Sequence, residues 1–292
     1  MTGAGSEIHV VHIFDDNFWA PTYATMRSIC LATKRRRDLV FHLLCFGLSA
    51  EHTADLDKII EEFGARLHYV ALDANALDAA LVARLPKNSK RLAPVLYARL
   101  LLDELLPQEV SRFIYADSDM MFRVSIAPLW DIDLTGFPLA AVQDPYSRSI
   151  PGRRKIRDFP GLLDPSVPYF NSGLMVIDRV GWRAVDPAAT LNRLIEEDML
   201  KRLYYDQDVL NIAFRDNWLK LHNPWNFLNP RPEHESLNPR VAHYTGSHKP
   251  WRLRSRAAYA RLYRHVMTND LYYRYLRHRW RNFWLGRRVE RP

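Results

Sequence analysis

Short apolar runs recur along this chain with helical patterns between them, and that alternation limits the fold more than any other feature. The runs are IHVVHIF (8–14), VFHLLCF (40–46), RLHYVAL (66–72), RFIYA (112–116), LAAVQ (139–143) and LMVID (174–178). They are apolar on both faces and rich in β-branched and aromatic residues, as strands buried on both sides must be. Residues 23–33, 51–63 and 94–106 carry helical spacing, with Leu96, Leu100 and Leu101 forming a core-facing stripe in the last. Such alternation predicts an α/β fold, a mainly parallel sheet with helices on both faces. At 292 residues the chain holds one large domain of this kind or two ordinary ones.

Open sheets of this class bind ligands at the carboxyl ends of their strands. The first run ends in Asp15-Asp16-Asn17, RFIYA runs into Asp117-Ser118-Asp119, and RVAHY (240–244) leads through His243 into Gly246 and Lys249. Asp-x-Asp occurs four times, at 55/57, 117/119, 131/133 and 206/208. Roughly one occurrence is expected by chance in a chain of this length, so context must decide. The first and third lie in a helical pattern and a loop, and read as solvated surface. Asp117 and Asp119 differ: residues i and i+2 of a strand point the same way about 6–7 Å apart, so both carboxylates can meet one cation beyond the strand end. Aspartate oxygens suit Mn²⁺ or Mg²⁺. His243 is a candidate third ligand, Gly246 permits close backbone approach, and Lys249 can neutralise a phosphate oxygen. The group reads as built around a diphosphate. Residues 144–168 and 224–239 read as long loops, the first as an active-site lid.

The two cysteines, Cys30 and Cys45, read as buried thiols on a helix and a strand. No apolar stretch approaches the length of a membrane span, and the first residues do not read as a signal peptide. The net charge of +8 is unevenly placed. From Arg252 onward there are twelve Arg against one Asp and one Glu, a net +10, which leaves −2 on the preceding 251 residues. Arginine interleaved with Trp, Tyr and Phe reads as a segment lying on an anionic membrane surface. A solvated helical end and a nucleic-acid-binding segment are the alternatives, and no nucleic-acid partner is expected.

Eight collinear segments carry a family resemblance: FDDNF (14–18), LYARL (96–100), YADSDMMF (115–122), PLWDIDL (128–134), YFNSGLMVID (169–178), YYDQDVLN (204–211), WNF (225–227) and HYTGSHKPW (243–251). The chain resembles retaining glycosyltransferase family 8, and within it the bacterial lipooligosaccharide and lipopolysaccharide galactosyl- and glucosyltransferases. The resemblance implies a GT-A fold and a UDP-galactose or UDP-glucose donor. It implies Mn²⁺, with Mg²⁺ the alternative, held by Asp117, Asp119 and His243. It places Asp15 and Asn17 at the uridine, Arg99, Asn171, Ser172 and Asp206 at the donor sugar, and Phe14 and Ser118 among the other donor-binding residues. Gly246 and Lys249 would clamp the pyrophosphate.

Gln207 matches the residue beneath the anomeric carbon. Retention through a covalent intermediate needs a carboxylate nucleophile. An amide is a poor one, so the expectation is front-face attack, with Gln207 stabilising oxocarbenium-like charge. Asp208 is the rival nucleophile. Two departures from the family pattern touch the donor pocket, Ser172 in place of a common Ala, and Ala93-Pro94 where hydroxyl residues are frequent. The expected organisation is a catalytic domain over 1–250 and a membrane-associating segment over 251–292. The protein is expected in the cytoplasm, on the inner face of the membrane, adding hexose to a lipid-linked glycan. A glycogenin-like or polysaccharide-priming transferase, and a catalytically silent sugar-nucleotide or nucleic-acid-binding module, are the alternative readings.

Overall fold

Strands without a polar face must be covered on both sides, and the order of elements along the chain supplies the cover. β1 (Ile8–Asp15), α1 (Trp19–Ala32), β2 (Leu39–Phe46), α2 (Ala50–Phe63) and β3 (Arg66–Leu72) make two successive βαβ units. There follow α3 (Ala93–Tyr97), α4 (Leu102–Leu105), β4 (Arg112–Ala116), β5 (Met120–Phe122), α5 (Ala127–Trp130) and β6 (Leu139–Gln143). Then come β7 (Phe170–Asp178), α6 (Arg179–Val185), α7 (Pro187–Glu196), α8 (Tyr205–Ala213), β8 (Leu219–Leu221), β9 (Phe227–Leu228) and β10 (Val241–His243). Two helices close the chain, α9 (Ala260–Met267) and α10 (Asn269–Trp284). This computed structural model describes residues 7–73, 93–145, 162–163, 167–199, 203 and 205–286, the side chains of 93, 94 and 205 excepted.

The main sheet has seven strands in the order β3-β2-β1-β4-β7-β6-β8, and a small one joins β5, β10 and β9. Alternation along each strand feeds two separate cores. Ile8, Val10 and Ile114 pack with α1 and α2 on one face, while Val11, Ile13, Phe113 and Tyr115 pack with residues of α8 on the other. The sheet is mainly parallel, as expected, but β7 runs antiparallel to both β4 and β6. Apolar composition carries no direction, which is why the run at 174–178 did not disclose it. The reversal matters for the site. It brings residues 170–173 to the edge where β1 and β4 end, and Asp117 N donates to Gly173 O across that edge at 2.8 Å.

Two expectations change. The helical pattern over 94–106 is broken into α3, a tighter turn at Ala98–Leu101, and α4. Within its stripe Leu100 is buried, whereas Leu96 and Leu101 are only partly covered. Asp55 is not solvated surface. It is buried, accepts from Trp19 Nε1, and pairs with Lys58 and Arg274. The lid reading at 144–168 falls almost entirely outside the described residues. Cys30 and Cys45 are free and buried, and burial pushes their thiols up to about 12 and about 11.

The chain beyond residue 250 folds back on the body. Trp251, Tyr263, Val266, Met267, Leu271, Tyr272, Tyr275 and Leu276 belong to the same core as β1 and α1. Arg274 pairs with Glu51 and Asp55 of α2 at 2.8 and 2.7 Å.

Candidate active site

Parallel β1 and β4 end at one edge of the sheet, and the reversed β7 begins there. The site is assembled from those three ends together with β10 and the first turn of α8. Asp117 and Asp119 lie between β4 and β5, and antiparallel β10 pairs His243 with Met120. His243 Nε2 therefore stands 3.5 Å from Asp117 Oδ2 and 3.1 Å from Asp119 Oδ1. One ligand atom from each of the three lies within 4.8 Å of the others.

Burial alone would lower the His243 pKa and raise those of the carboxylates. The charges prevail. Asp119 and Asp117 raise His243 to about 9. Arg99 and His243 hold Asp117 below its ordinary value, and Lys249 with His243 holds Asp119 far below. Two ionised carboxylates beside a buried imidazole form a candidate site for a divalent metal ion. The imidazole is aimed for that role: Nδ1 donates to Asn226 Oδ1 at 2.8 Å, which leaves Nε2 as the atom facing the carboxylates. Gly173 keeps the ligands close. A Cβ there would meet His243 Cε1 at 2.3 Å and Asp117 Oδ2 at 2.6 Å.

Arg99 is 6% exposed, so its charge must be answered. It donates to Asp117 Oδ1 at 2.8 Å and to Ser172 Oγ at 2.8 Å, and pairs with Asp206 Oδ2 at 2.9 Å. The Tyr115 ring lies 4.7 Å from its guanidinium carbon, and the Tyr115 hydroxyl donates to the same Asp117 oxygen. Burial would lower Arg99, but Asp117 and Asp206 raise it. Burial pushes Asp206 up to about 6 despite Arg99.

Gln207 sits at the start of α8 with its amide held at both ends. Its Oε1 accepts from Asn171 Nδ2 at 3.0 Å and Ser172 N at 3.2 Å; its Nε2 donates to Asp144 Oδ2 and to Tyr169 Oη, each at 3.2 Å. Tyr169 in turn donates to Asp208 Oδ1 at 2.7 Å, and Asp208 is fully buried. Asn171 Oδ1 accepts from Asn226 Nδ2 at 2.8 Å. A continuous hydrogen-bonded chain thus runs from the half-buried Gln207 through the buried Asn171 and Asn226 to His243. It fixes the orientation of each member.

Lys249 Nζ reaches Asp119 Oδ2 at 2.7 Å and Tyr244 O at 2.6 Å. Gly246 lies against Asn229: an added Cβ would stand 2.6 Å from Asn229 Oδ1. At the end of β1, both Asp15 oxygens accept from Asn17, its backbone N at 3.0 Å and Nδ2 at 3.2 Å. Phe14 is a core residue, and Ser118 Oγ accepts from Thr22 of α1 at 2.9 Å. The structure therefore brings Arg99, Asp117, Asp119, Asn171, Ser172, Asp206, Gln207, His243 and Lys249 into one connected network. It keeps Phe14 and Ser118 as supports beside it. Sequence reasoning missed Tyr115, Asp144, Tyr169 and Asn226. Tyr115, Tyr169 and Asn226 each stand in one of the eight matching segments, which was the available signal; Asp144 stands in none.

Fold and site together define a glycosyltransferase of GT-A architecture, with a largely parallel sheet and a candidate Asp-Asp-His metal site at its carboxyl edge. The chain belongs to glycosyl transferase family 8, whose model matches residues 9–254. It is 26% identical over 281 residues to general stress protein A of Bacillus subtilis (strain 168), covering 89% of this chain and 93% of that protein. It is also 26% identical over 251 residues to the glycosyltransferase GlyF of Streptococcus pneumoniae serotype 4 (strain ATCC BAA-334 / TIGR4), covering 83% of this chain and 56% of that one. Among solved structures, the galactosyltransferase LgtC in complex with donor and acceptor sugar analogues superposes with a TM-score of 0.73. The match has 25% identity and covers 89% of this chain and 95% of that one.

Proposed function

We propose that this glycosyltransferase moves galactose or glucose from a UDP-sugar to a glycan acceptor with retention of configuration. The observation that carries the reading is the cluster of Asp117, Asp119, His243 and Lys249, two ionised carboxylates, an aimed imidazole and an ammonium at the sheet edge. Asp117, Asp119 and His243 would hold Mn²⁺, whose chemistry here is to neutralise the charge that develops on a departing diphosphate. Lys249 supplies a further positive charge to phosphate oxygens. Asp15 and Asn17 receive the nucleoside at the end of β1, with Phe14 and Ser118 shaping the edges beneath it. Gly246 admits the backbone close to the diphosphate.

Arg99, Asn171, Ser172 and Asp206 present two donors, a hydroxyl and a carboxylate to the sugar hydroxyls. Gln207 faces the same group with its amide fixed by Asp144 and Tyr169. Neither neighbouring carboxylate is suited to attack: Asp206 pairs with Arg99, and Asp208 is fully buried and bonded to Tyr169. This favours front-face attack by the acceptor hydroxyl, with Gln207 stabilising the oxocarbenium-like sugar electrostatically.

A lipid-linked acceptor at the inner membrane face suits the outer side of α10. Tyr273, Arg277, Trp280, Arg281 and Trp284 are exposed at helical spacing on one stripe. No helix among the described residues is long and apolar enough to cross a membrane. The test is a panel of UDP-sugars with Mn²⁺, scored by slow UDP release without acceptor. Release from UDP-galactose or UDP-glucose, lost on chelation, supports the reading. Donor binding without release under any condition would leave a silent binding module.

A further inference from the structure

The loop Asp15-Asp16-Asn17 is gripped from two sides. On one side Asp16 accepts from Ser49 N at 2.9 Å and from His52 Nδ1 at 2.6 Å. On the other, Asn282 of α10 donates from Nδ2 to Asn17 Oδ1 at 3.3 Å, across 265 residues of sequence. The same Nδ2 faces His278 Nε2 at 2.7 Å, so both amide hydrogens are committed. The carbonyl oxygen of Asn282 is buried without a partner among the described residues. Asn282 itself is 3% exposed, on a helix face also packed by Leu271, Tyr272, Tyr275, Leu276 and the buried Arg279.

A buried amide with one orphaned end is costly, so its place in that face must come from its donors. One of those donors holds Asn17 Oδ1. The remaining polar groups of Asn17, its backbone N and Nδ2, are what hold Asp15. A chain His278–Asn282–Asn17–Asp15 therefore runs from the C-terminal helix to the end of β1. Nearby, Trp19 stacks on His52 at 3.6 Å, with His278 edge-on to both, which fixes the helix against the loop.

We infer that α10 is part of the donor site, and that Asn282 is a positioning residue acting on the nucleoside through Asn17. The inference rests on the reading that the end of β1 receives the nucleoside. It makes the basic C-terminal segment a requirement for donor binding as well as a surface. Asn17 free to turn presents Asp15 in several arrangements, and the bound one must then be selected at a cost in affinity.

The experiment measures UDP affinity calorimetrically in the presence of Mn²⁺, for the full chain and for Asn282→Ala, Asn282→Asp, Asn17→Ala and the Asn17→Ala/Asn282→Ala double variant. Asn282→Ala is expected to weaken UDP by about 3- to 10-fold, the effect of one hydrogen bond. In the Asn17→Ala background the same change is expected to cost less than about 2-fold, because the two residues act in series. Mn²⁺ binding measured without UDP should not change. Asn282→Asp keeps the shape and loses the donors, so it should weaken UDP as well; it decides the matter if the alanine variant does not fold. UDP affinity equal to wild type in both Asn282 variants overturns the inference, as does an equal loss with and without Asn17. A wild-type protein that binds no UDP overturns the nucleoside reading and this inference with it.

Discussion

A Cβ added at Gly173 would stand 2.3 Å from His243 Cε1 and 2.6 Å from Asp117 Oδ2, with Asn171 Oδ1 at 3.0 Å. Under 3 Å something must shift, and what stands there is the side chains that define the site, so Gly173→Ala is expected to push the ligands apart. We expect it to weaken Mn²⁺ binding by roughly 10- to 100-fold, the scale for disturbing the partners of metal ligands. Titration of the apoprotein with Mn²⁺ checks this, and undiminished affinity would remove Asp117 and His243 from the metal site. Gln207 is the other decisive position. Its carbonyl oxygen is held by Asn171 and Ser172, so its contribution is a fixed dipole. Gln207→Ala should leave donor affinity within a few-fold and lower kcat by roughly 10 to 1,000-fold, the range for one lost electrostatic contact. Steady-state kinetics and the anomeric configuration of the product test it. A β-anomer, or a glycosyl group trapped on Asp208, would refute front-face attack.

At the scale of elements, α10 is fastened to α2 through Asp55. That buried carboxylate accepts from Trp19 Nε1 at 3.2 Å and pairs with Arg274 and Lys58 at 2.7 and 2.8 Å. Asp55→Ala leaves the Trp19 N–H and part of the Arg274 charge unanswered. It should destabilise the fold by about 2–4 kcal/mol, read as a shift in the denaturation midpoint. The strands have a pH limit of their own. His12 of β1 and His42 of β2 are buried, and burial lowers each to about 4. Unfolded histidine binds its proton near pH 6.5, so the unfolded chain holds more protons between pH 6.5 and 4. The stability these neutral rings permit is intact above pH 6.5 and is lost as pH falls toward 4, by on the order of 3 kcal/mol per histidine. Urea melts at pH 7, 5.5 and 4.5 should show falling midpoints, and His12→Gln should flatten the decline.

For the molecule as a whole, the outer stripe of α10 decides between membrane contact and ordinary solvated surface. Truncation cannot separate these, because Leu271, Tyr272, Tyr275 and Leu276 hold the helix in the core. Arg277→Glu combined with Arg281→Glu changes only exposed side chains. The pair should sharply reduce co-sedimentation with phosphatidylglycerol vesicles, at about 1 kcal/mol for each Arg lost from the surface, and high salt should mimic it. Equal sedimentation of both proteins, or of neither, would return the stripe to solvent.

How much was legible in the sequence follows from the range of the forces. Five of the six apolar runs became largely buried strands because burial on both faces is written in local composition; the sixth became β3, an edge strand with no fully buried residue. β4 ended in the carboxylate pair because a strand end is a local event, and the ordered segments from FDDNF to HYTGSHKPW disclosed the family. The direction of β7 was not local, nor was the meeting of Asn171, Asn226 and Gln207, which depends on that reversal. Asp55 looked like solvent-facing charge in a helix until α10 covered it. The C-terminal segment looked separable because arginine dominates its composition. Its buried stripe of Leu and Tyr, and the single Asn282 that reaches Asn17, acquire meaning only when the helix returns to the sheet. Charge is a property of the residues themselves, whereas the face of a helix that is buried is set by what packs against it.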